Sequence, residues 1–254
     1  MSSSPAGLSV VLIARDEEKS IAAALDSVGW ADEVIVVDSG STDRTVEIAR
    51  AKGAKVTVTA DWPGFGAQKN RALDLATREW VLSLDADERV TPELREEIRA
   101  IVAGQSTSDA YDIPRLSRYC GRLLRHGGWW PDRVTRLFRR GKARFSDDLV
   151  HERVVVPGAI GQLRNHLLHE AFDDLEEVLD KVNRYSSAGA RMAHARGRGG
   201  SVTGAVLHGA WTFIRTYFLK AGFLDGRRGF MLAVSNAEGT YYRYLKLMLL
   251  GEKR

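Results

Sequence analysis

The sequence predicts an α/β fold, a mixed and mainly parallel sheet flanked by helices, with a helical extension at its C-terminal end. Three observations carry this prediction. In the first half, β-rich apolar runs alternate with segments of helical period, the order that builds parallel sheets. Two of those runs, Val34 to Val37 and Val81 to Leu84, are followed at once by carboxylates, at the strand end where open α/β sheets place their ligands. Beyond Asp173 the strand signals give way to helical periodicity. The length suits one large domain or a domain with an appendage, and the division is expected between residues 1–165 and 166–254.

Leu8-Ser9-Val10-Val11-Leu12-Ile13-Ala14 has the composition of a buried strand. Arg15-Asp16-Glu17-Glu18 follows at its carboxyl end. Acidic residues suit the first turn of a helix, where backbone N–H groups are unpaired. Glu17 and Glu18 therefore read either as dipole compensation or as part of a ligand loop. Ile21, Leu25 and Val28 share one helical face, and Gly29 ends that helix. Glu33 to Asp38 is a second strand ending in a carboxylate. Ser39 to Asp43 is a polar turn in which Thr42 or Asp43 caps the helix carrying Thr45, Val46 and Ile48. Ala54 to Val58 is a third strand. The loop Trp62 to Asn70 has two glycines that let a ligand approach. It carries Lys69 as a ligand-binding candidate and leads into a helix with Ala72, Leu73 and Ala76 toward the sheet.

Val81-Leu82-Ser83-Leu84-Asp85-Ala86-Asp87-Glu88 is the stretch around which the chain is organised. A buried strand runs into two carboxylates at i, i+2. Such hard oxygen donors can converge on a divalent cation that bridges phosphates to protein; the structural alternative is an ordinary surface turn. The glycine spacing is not Gly-x-Gly-x-x-Gly and no phosphate-binding lysine loop is present, so a dinucleotide fold is not signalled. Pro92 sits where helices start, with Leu94, Ile98, Ile101 and Val102 as an apolar stripe. Ala110 to Ile113 is a short further strand.

In the second half, Trp129 and Trp130 lie in an aromatic loop and read as a sugar-stacking platform or as ordinary plugs. Arg133 to Arg140 alternates basic and apolar residues, a strand with one wet face. Arg136 on it is either a fork of donors for a phosphate or a solvated edge residue. The stretch Phe145 to Val155 holds Asp147, Asp148, His151 and Glu152, whose carboxylates can take a proton from an attacking hydroxyl. Asp173 and Glu176 form a capping box in kind and open a helix running past Met192 toward the glycines at 197–200. Val206, Ala210, Phe213 and Ile214 start another helix, and Phe223 to Phe230 is a turn. Tyr241 to Leu250 ends the chain as helix-on-helix core or as a membrane-interface segment. In the second case Lys220, Arg227 and Arg228 add affinity for an anionic surface.

Charge is uneven. Residues 1–118 hold 14 Lys/Arg and 20 Asp/Glu, a net of −6, while residues 119–254 hold 23 and 13, a net of +10. A basic half suits a phosphorylated partner or an anionic membrane surface. With no zinc-finger spacing and no strong nucleic-acid motif, a nucleic-acid partner is not expected. Cys120 is the sole cysteine, which excludes an internal disulfide framework and fits a reducing compartment. The start of the chain is expected to be neither a signal peptide nor a membrane span, and no run of eighteen apolar residues occurs.

Val36-Val37-Asp38-Ser39-Gly40-Ser41-Thr42-Asp43 together with Leu84-Asp85-Ala86-Asp87-Glu88 resembles the family 2 glycosyltransferases, over residues 8–118. Val150-His151-Glu152 after Arg136-Leu137-Phe138, and Gly222-Phe223-Leu224-Asp225-Gly226 beside an aromatic helix, are similar to a bacterial lipopolysaccharide core β-1,4-glucosyltransferase subgroup. The resemblance implies a GT-A fold. It also implies inverting, metal-dependent transfer from a nucleotide-sugar donor, expected to be UDP-glucose, to a heptose hydroxyl of the lipopolysaccharide inner core. On this resemblance residues 1–165 are the nucleotide-sugar-binding and catalytic domain, and residues 166–254 contact the acceptor or a membrane surface. Asp16 then lies near the uracil pocket, although the family often has Asn there. Asp38 contacts the nucleoside, and Lys69 and Arg136 are further donor-binding candidates. Asp85 and Asp87 belong to the site of the diphosphate and its Mg2+ or Mn2+. Glu152 is the expected base, with Asp147 and Asp148 next. The acceptor implies a cytoplasmic protein, peripheral on the inner membrane. A polyprenyl-phosphate glycosyltransferase and a non-catalytic sugar-nucleotide-binding protein are the alternatives.

Overall fold

The computed structural model describes residues 6–146 and 153–252. Its first elements are β1 (Leu8–Ala14), α1 (Ile21–Val28), β2 (Glu33–Asp38), α2 (Thr45–Ala51), β3 (Lys55–Val58), α3 (Phe65–Leu75), β4 (Trp80–Ser83), β5 (Glu88–Val90) and α4 (Pro92–Ala100). The short strands and longer ribbons that follow are β6 (Ala110–Tyr119), β7 (Arg122–Leu123), β8 (Asp132–Arg139), β9 (Arg144–Phe145), β10 (Val154–Val155), β11 (Ile160–Gln162) and β12 (Leu167–Phe172). Three long helices finish the chain: α5 (Leu175–Ala195), α6 (Val202–Ile214) and α7 (Gly226–Glu252).

The main sheet runs in the order β3-β2-β1-β4-β8-β6-β12-β5, with β7 and β11 also pairing β6. Strands β1, β2, β3 and β4 are mutually parallel, and β8 is antiparallel to β4. The parallel block is buried on both faces, which its near-continuous Val, Ile and Leu content requires. On one face Val10, Leu12, Val36 and Leu82 pack with Ile21 and Leu25 of α1, Ala49 of α2, and Leu94 and Ile98 of α4. On the other, Val11, Ile35, Val37 and Val81 pack with Ala72 and Leu73 of α3. Each fully buried side chain of this kind contributes about 1.5–3 kcal/mol. The register pairs Ala14 with Asp38 and Val11 with Ser83. Asp16, Asp38 and Asp85 therefore all lie at one carboxyl edge of the sheet.

The expected mainly parallel sheet with helices on both faces and a helical C-terminal part is what the chain forms. Several local expectations are corrected. The strand expected to end at Ile113 continues through Pro114 to Tyr119, because the fixed φ of proline is compatible with an extended backbone. β8 is no wet edge: it lies between β4 and β6, and Arg136, Leu137 and Phe138 are buried. β12 adds a sheet strand in a stretch read as the start of the helical part. The capping residue of α5 is Asp174, whose carboxylate accepts the Glu177 N–H at 2.9 Å, while Glu177 accepts the Asp173 N–H; the expected box is shifted by one residue within an Asp-Asp-x-Glu-Glu stretch that fits both frames. α7 begins at Gly226, inside the turn expected to reach Phe230.

By compactness the chain divides into Met1–Arg115 with Arg133–His169, and Leu116–Asp132 with Glu170–Arg254. The second unit has its own core of Tyr119, Leu124, Val178 and Leu232. In it the buried Asp225 carboxylate accepts the backbone N–H groups of Arg125 and His126, which fixes the turn before α7. Tyr241 to Leu250 belongs to α7 and packs helix on helix. His208 of α6 stacks on Tyr244 with ring centroids 4.3 Å apart, and Lys246 donates to Asn183 Oδ1 of α5 at 2.7 Å.

Glu33, at the start of β2, gives a pH prediction. Burial acts to raise its carboxyl pKa, but donation from Lys55, Ser9 and the Thr77 backbone outweighs this and brings it down from 4.5 to about 2. A folded-state pKa below the unfolded one adds stability that is present above about 4.5 and lost as the pH falls toward 2. The stability difference between wild type and Glu33→Gln, measured by denaturant unfolding, should therefore be full at neutral pH and shrink through that window. A difference independent of pH would contradict this account.

Candidate active site

Two loops at the carboxyl edge hold each other. Asp16 adopts φ 54°, a left-handed conformation that Asp tolerates better than most residues. Its N–H donates to Ser41 Oγ at 2.8 Å and its Oδ1 accepts the Thr42 N–H at 2.7 Å. The Glu17 N–H donates to Thr45 Oγ1 at 2.7 Å, and the Glu18 N–H to Asp43 Oδ2 at 3.0 Å. Asp38 is fully buried. Its Oδ1 accepts the N–H groups of Gly40 and Ser41, at 3.0 and 2.9 Å, and its Oδ2 accepts the Ser41 hydroxyl. Gln68, buried on α3, donates to Ser39 Oγ at 3.0 Å and Thr59 Oγ1 at 2.8 Å. Asp43 also accepts the Thr45 N–H at 2.9 Å, so it satisfies one of the open N–H groups of α2 although it stands one residue before the cap.

The second group follows β4. Lys69 Nζ lies 3.0 Å from Asp85 Oδ1, and Arg136 donates to Asp85 Oδ2. Arg136 also donates to Glu88 Oε1 at 2.7 Å, and Arg115 reaches the same oxygen at 3.2 Å. Glu88 Oε2 closes the loop by accepting the Asp85 N–H at 3.1 Å. Three cations and two carboxylates thus alternate in one network whose centre, Lys69, Arg136 and Glu88, is buried. Burial alone would raise the Asp85 carboxyl, but Arg136 and then Lys69 hold it well below the usual carboxylate range. Desolvation would likewise lower the Arg136 guanidinium, and Asp85 and Glu88 push it up instead.

Asp87 stands apart from this network. Its Oδ2 lies 3.4 Å from His169 Nε2, while its Oδ1 is buried with no hydrogen-bond partner among the described residues. Arg136 Nε is buried and without a partner in the same sense. His169 arrives because β12 pairs antiparallel with β5, setting it opposite Glu88. The Glu17 carboxyl is pushed up, mainly by burial and further by the charges of Asp87, Asp43 and Asp85. Negative charge therefore gathers between β1 and β4. Among the described residues no group of three or more His, Cys, Asp or Glu forms a ready-made metal site.

The sequence candidates Asp16, Asp38, Lys69, Asp85, Asp87 and Arg136 all fall on this edge or its supporting network. Glu152, Asp147, Asp148 and His151 lie outside the described residues. Trp129 packs edge-on against Tyr119 at 5.5 Å and tilted against Phe172 at 6.1 Å, and so serves as a plug. Sequence reasoning missed Glu88, Arg115 and His169. Glu88 was visible beside the acidic pair, but its partners come from distant strands. His169 sits in Leu167-Leu168-His169-Glu170, which carries no local signal of its neighbour.

An acidic carboxyl edge on a parallel sheet, continued by an antiparallel strand that carries a basic residue back to it, is the layout of a GT-A glycosyltransferase. Comparison with known proteins agrees: the glycosyl transferase family 2 model matches residues 9–167, and the chain belongs to that family. A Rickettsia typhi protein named only as an uncharacterized glycosyltransferase is 33% identical over 97% of this chain and 88% of its own length. The lipopolysaccharide core biosynthesis glycosyltransferase LpsC of Rhizobium meliloti is 29% identical over 94% of this chain and 89% of its length. The crystal structure of S. aureus TarS 1-349 in complex with UDP-GlcNAc shares the fold, with TM-score 0.50 and 16% identity, covering 97% of this chain and 92% of that one. The protein is thus a transferase of sugar groups.

Proposed function

We propose that this glycosyltransferase moves glucose from UDP-glucose to a heptose hydroxyl of the lipopolysaccharide inner core, with inversion at the anomeric carbon. The relationship to LpsC along almost the whole chain carries the acceptor class. The chemistry of the site supports the donor class. Loops 15–18 and 39–43 form a polar wall suited to a nucleoside, with Asp16 on its exposed side and Asp38 holding its shape. The unpartnered Asp87 Oδ1, facing an excess of carboxylate charge, fits a divalent cation. Mg2+ or Mn2+ bound there would neutralise charge on the departing diphosphate. Asp87 is the direct ligand in this reading. Asp85, held between Lys69 and Arg136, stands behind it, and the spare Arg136 Nε–H adds positive potential toward the phosphates. Glu152 takes the proton from the attacking hydroxyl, and Asp147 and Asp148 are next in order.

A panel of UDP-sugars against truncated core acceptors, with product mass, linkage and anomeric configuration determined, tests the proposal. The expected product is an inverted glucoside on heptose. Transfer only to a polyprenyl phosphate, or retention of configuration, would overturn it. In the same assay Glu152→Gln should lower turnover by about 10²–10⁴-fold with donor affinity kept; an unchanged rate would move the base to Asp147 or Asp148.

A further inference from the structure

Helix α6 is built inside out. Its inner face is small: Ala205 and Gly209 are buried, and a Cβ added at Gly209 would lie 3.3 Å from Tyr241 Cβ and 3.4 Å from the Ala237 carbonyl oxygen of α7. Its opposite face holds the large apolar side chains. Leu207, Trp211, Ile214 and Phe218, spaced by four, three and four residues, are 64%, 53%, 43% and 55% exposed. Phe218 belongs to the widened turn Arg215–Leu219 that prolongs the helix. The apolar surface continues over the tip, where Leu219, Phe223 and Leu224 are 67%, 47% and 59% exposed. A helix that is apolar all round is one that something else covers. An exposed apolar patch of this extent marks an interaction site rather than ordinary surface.

Charge identifies what covers it. Residues 181–224 contain seven Lys/Arg and no Asp or Glu. Arg215 and Lys220 are exposed beside the apolar face, and Arg227 follows just past the tip. The next acid along the sequence, Asp225, is buried and accepts backbone N–H groups, so it offers no outward charge. Large apolar side chains flanked by Arg215, Lys220 and Arg227 match the boundary between acyl chains and headgroups of an anionic bilayer. Among the described residues no helix is long and apolar enough to cross a membrane, so the mode is in-plane insertion. We propose that the outer face of α6 and the tip at Leu219, Phe223 and Leu224 insert into the surface of an anionic phospholipid membrane. Of the two sequence readings of Tyr241–Leu250, helix-on-helix core or membrane interface, the first is what α7 forms against α5 and α6, and the membrane face proposed here is a different one. Donor and acceptor identity do not enter it.

The test is flotation of the full chain with vesicles of phosphatidylcholine alone or mixed with phosphatidylglycerol. Strong partition onto the anionic vesicles and weak partition onto neutral ones is expected. Added salt should weaken binding without abolishing it, because the apolar part is not screened. The double substitution Trp211→Ser with Leu207→Ser should lower anionic partition by at least about tenfold with the chain still folding cooperatively on thermal unfolding, since these side chains are 53% and 64% exposed. Arg215→Gln with Lys220→Gln should reduce the preference for anionic over neutral vesicles. Absence of partition, equal partition by the Trp211 and Leu207 variant, or a stable dimer by light scattering that this variant dissociates would overturn the proposal, the last by giving the face to a second copy of the chain.

Discussion

Asp87→Asn should lower kcat/KM by about a hundredfold to a thousandfold, while the melting temperature stays within about 2 °C of wild type. The rate effect follows from its one unpartnered oxygen. A cation that neutralises a leaving diphosphate contributes several kcal/mol to the transition state, and each 1.4 kcal/mol is about a factor of ten. On the proposed reading, asparagine keeps the shape but removes the charge that would bind the cation. The stability effect is small because among the described residues the Asp87 carboxylate has one polar contact, to His169 at 3.4 Å, and lies outside the ion network of Asp85, Arg136 and Glu88. Transfer rates over a titration of Mg2+ and Mn2+, together with thermal unfolding, check both halves. A variant with wild-type turnover would remove Asp87 from the site, and one that fails to fold would show that its role is structural.

Arg136→Met should do the reverse, costing stability first and activity with it. The guanidinium is buried and is shared by Asp85 and Glu88. Its loss leaves the buried Glu88 and the half-buried Asp85 with only Lys69 and Arg115, and breaking a buried pair such as Arg136–Glu88 from one side costs about 3–5 kcal/mol. In a chain of this size that lowers the melting temperature by roughly 6–20 °C. The pH dependence has a definite sign. Arg136 and Lys69 hold the Asp85 carboxyl below its ordinary range, so in wild type the stabilisation is full above the ordinary Asp pKa and is lost only in acid. The variant lacks part of that term, and the gap between the two proteins should be widest at neutral pH and narrow as the pH falls. Adding Glu88→Gln should recover part of the loss, because it removes a charge left without its main partner. Denaturant unfolding of the single and double variants measures this. A cost below about 1 kcal/mol, the value of an exposed ion pair, would show that the network contributes little.

These two substitutions differ in a way that Asp85 and Asp87, two residues apart in the same motif, do not announce. Both carboxylates were legible as donor-site candidates from the strand that precedes them. Which one is locked by cations and which keeps a free oxygen depends on Lys69 from α3 and Arg136 from β8. The same holds for Arg136 itself. Its alternating basic and apolar surroundings suit a half-wet strand, and only insertion of β8 between β4 and β6 buries it.

By itself the sequence determined most of the parallel block, its helices and the family. Strands β1, β2 and β4 are apolar runs, and side-chain burial favours extended pairing of such runs at short range. Pro92 at the first turn of α4 and the Thr91 hydroxyl accepting the Leu94 N–H are local rules satisfied locally. The carboxylates at the ends of β2 and β4 were read directly after the apolar runs that form those strands. Only the tertiary structure decided the partners. It placed β8 at the centre of the sheet and brought β12 against β5 so that His169 meets Asp87. It also turned the small residues of α6 inward against α7, leaving Leu207, Trp211, Ile214 and Phe218 outside. Helical period and strand alternation specify which residues share a face, but not what that face meets. That choice is made by packing and hydrogen-bond pairing between segments far apart in the chain, where no local pattern carries the information.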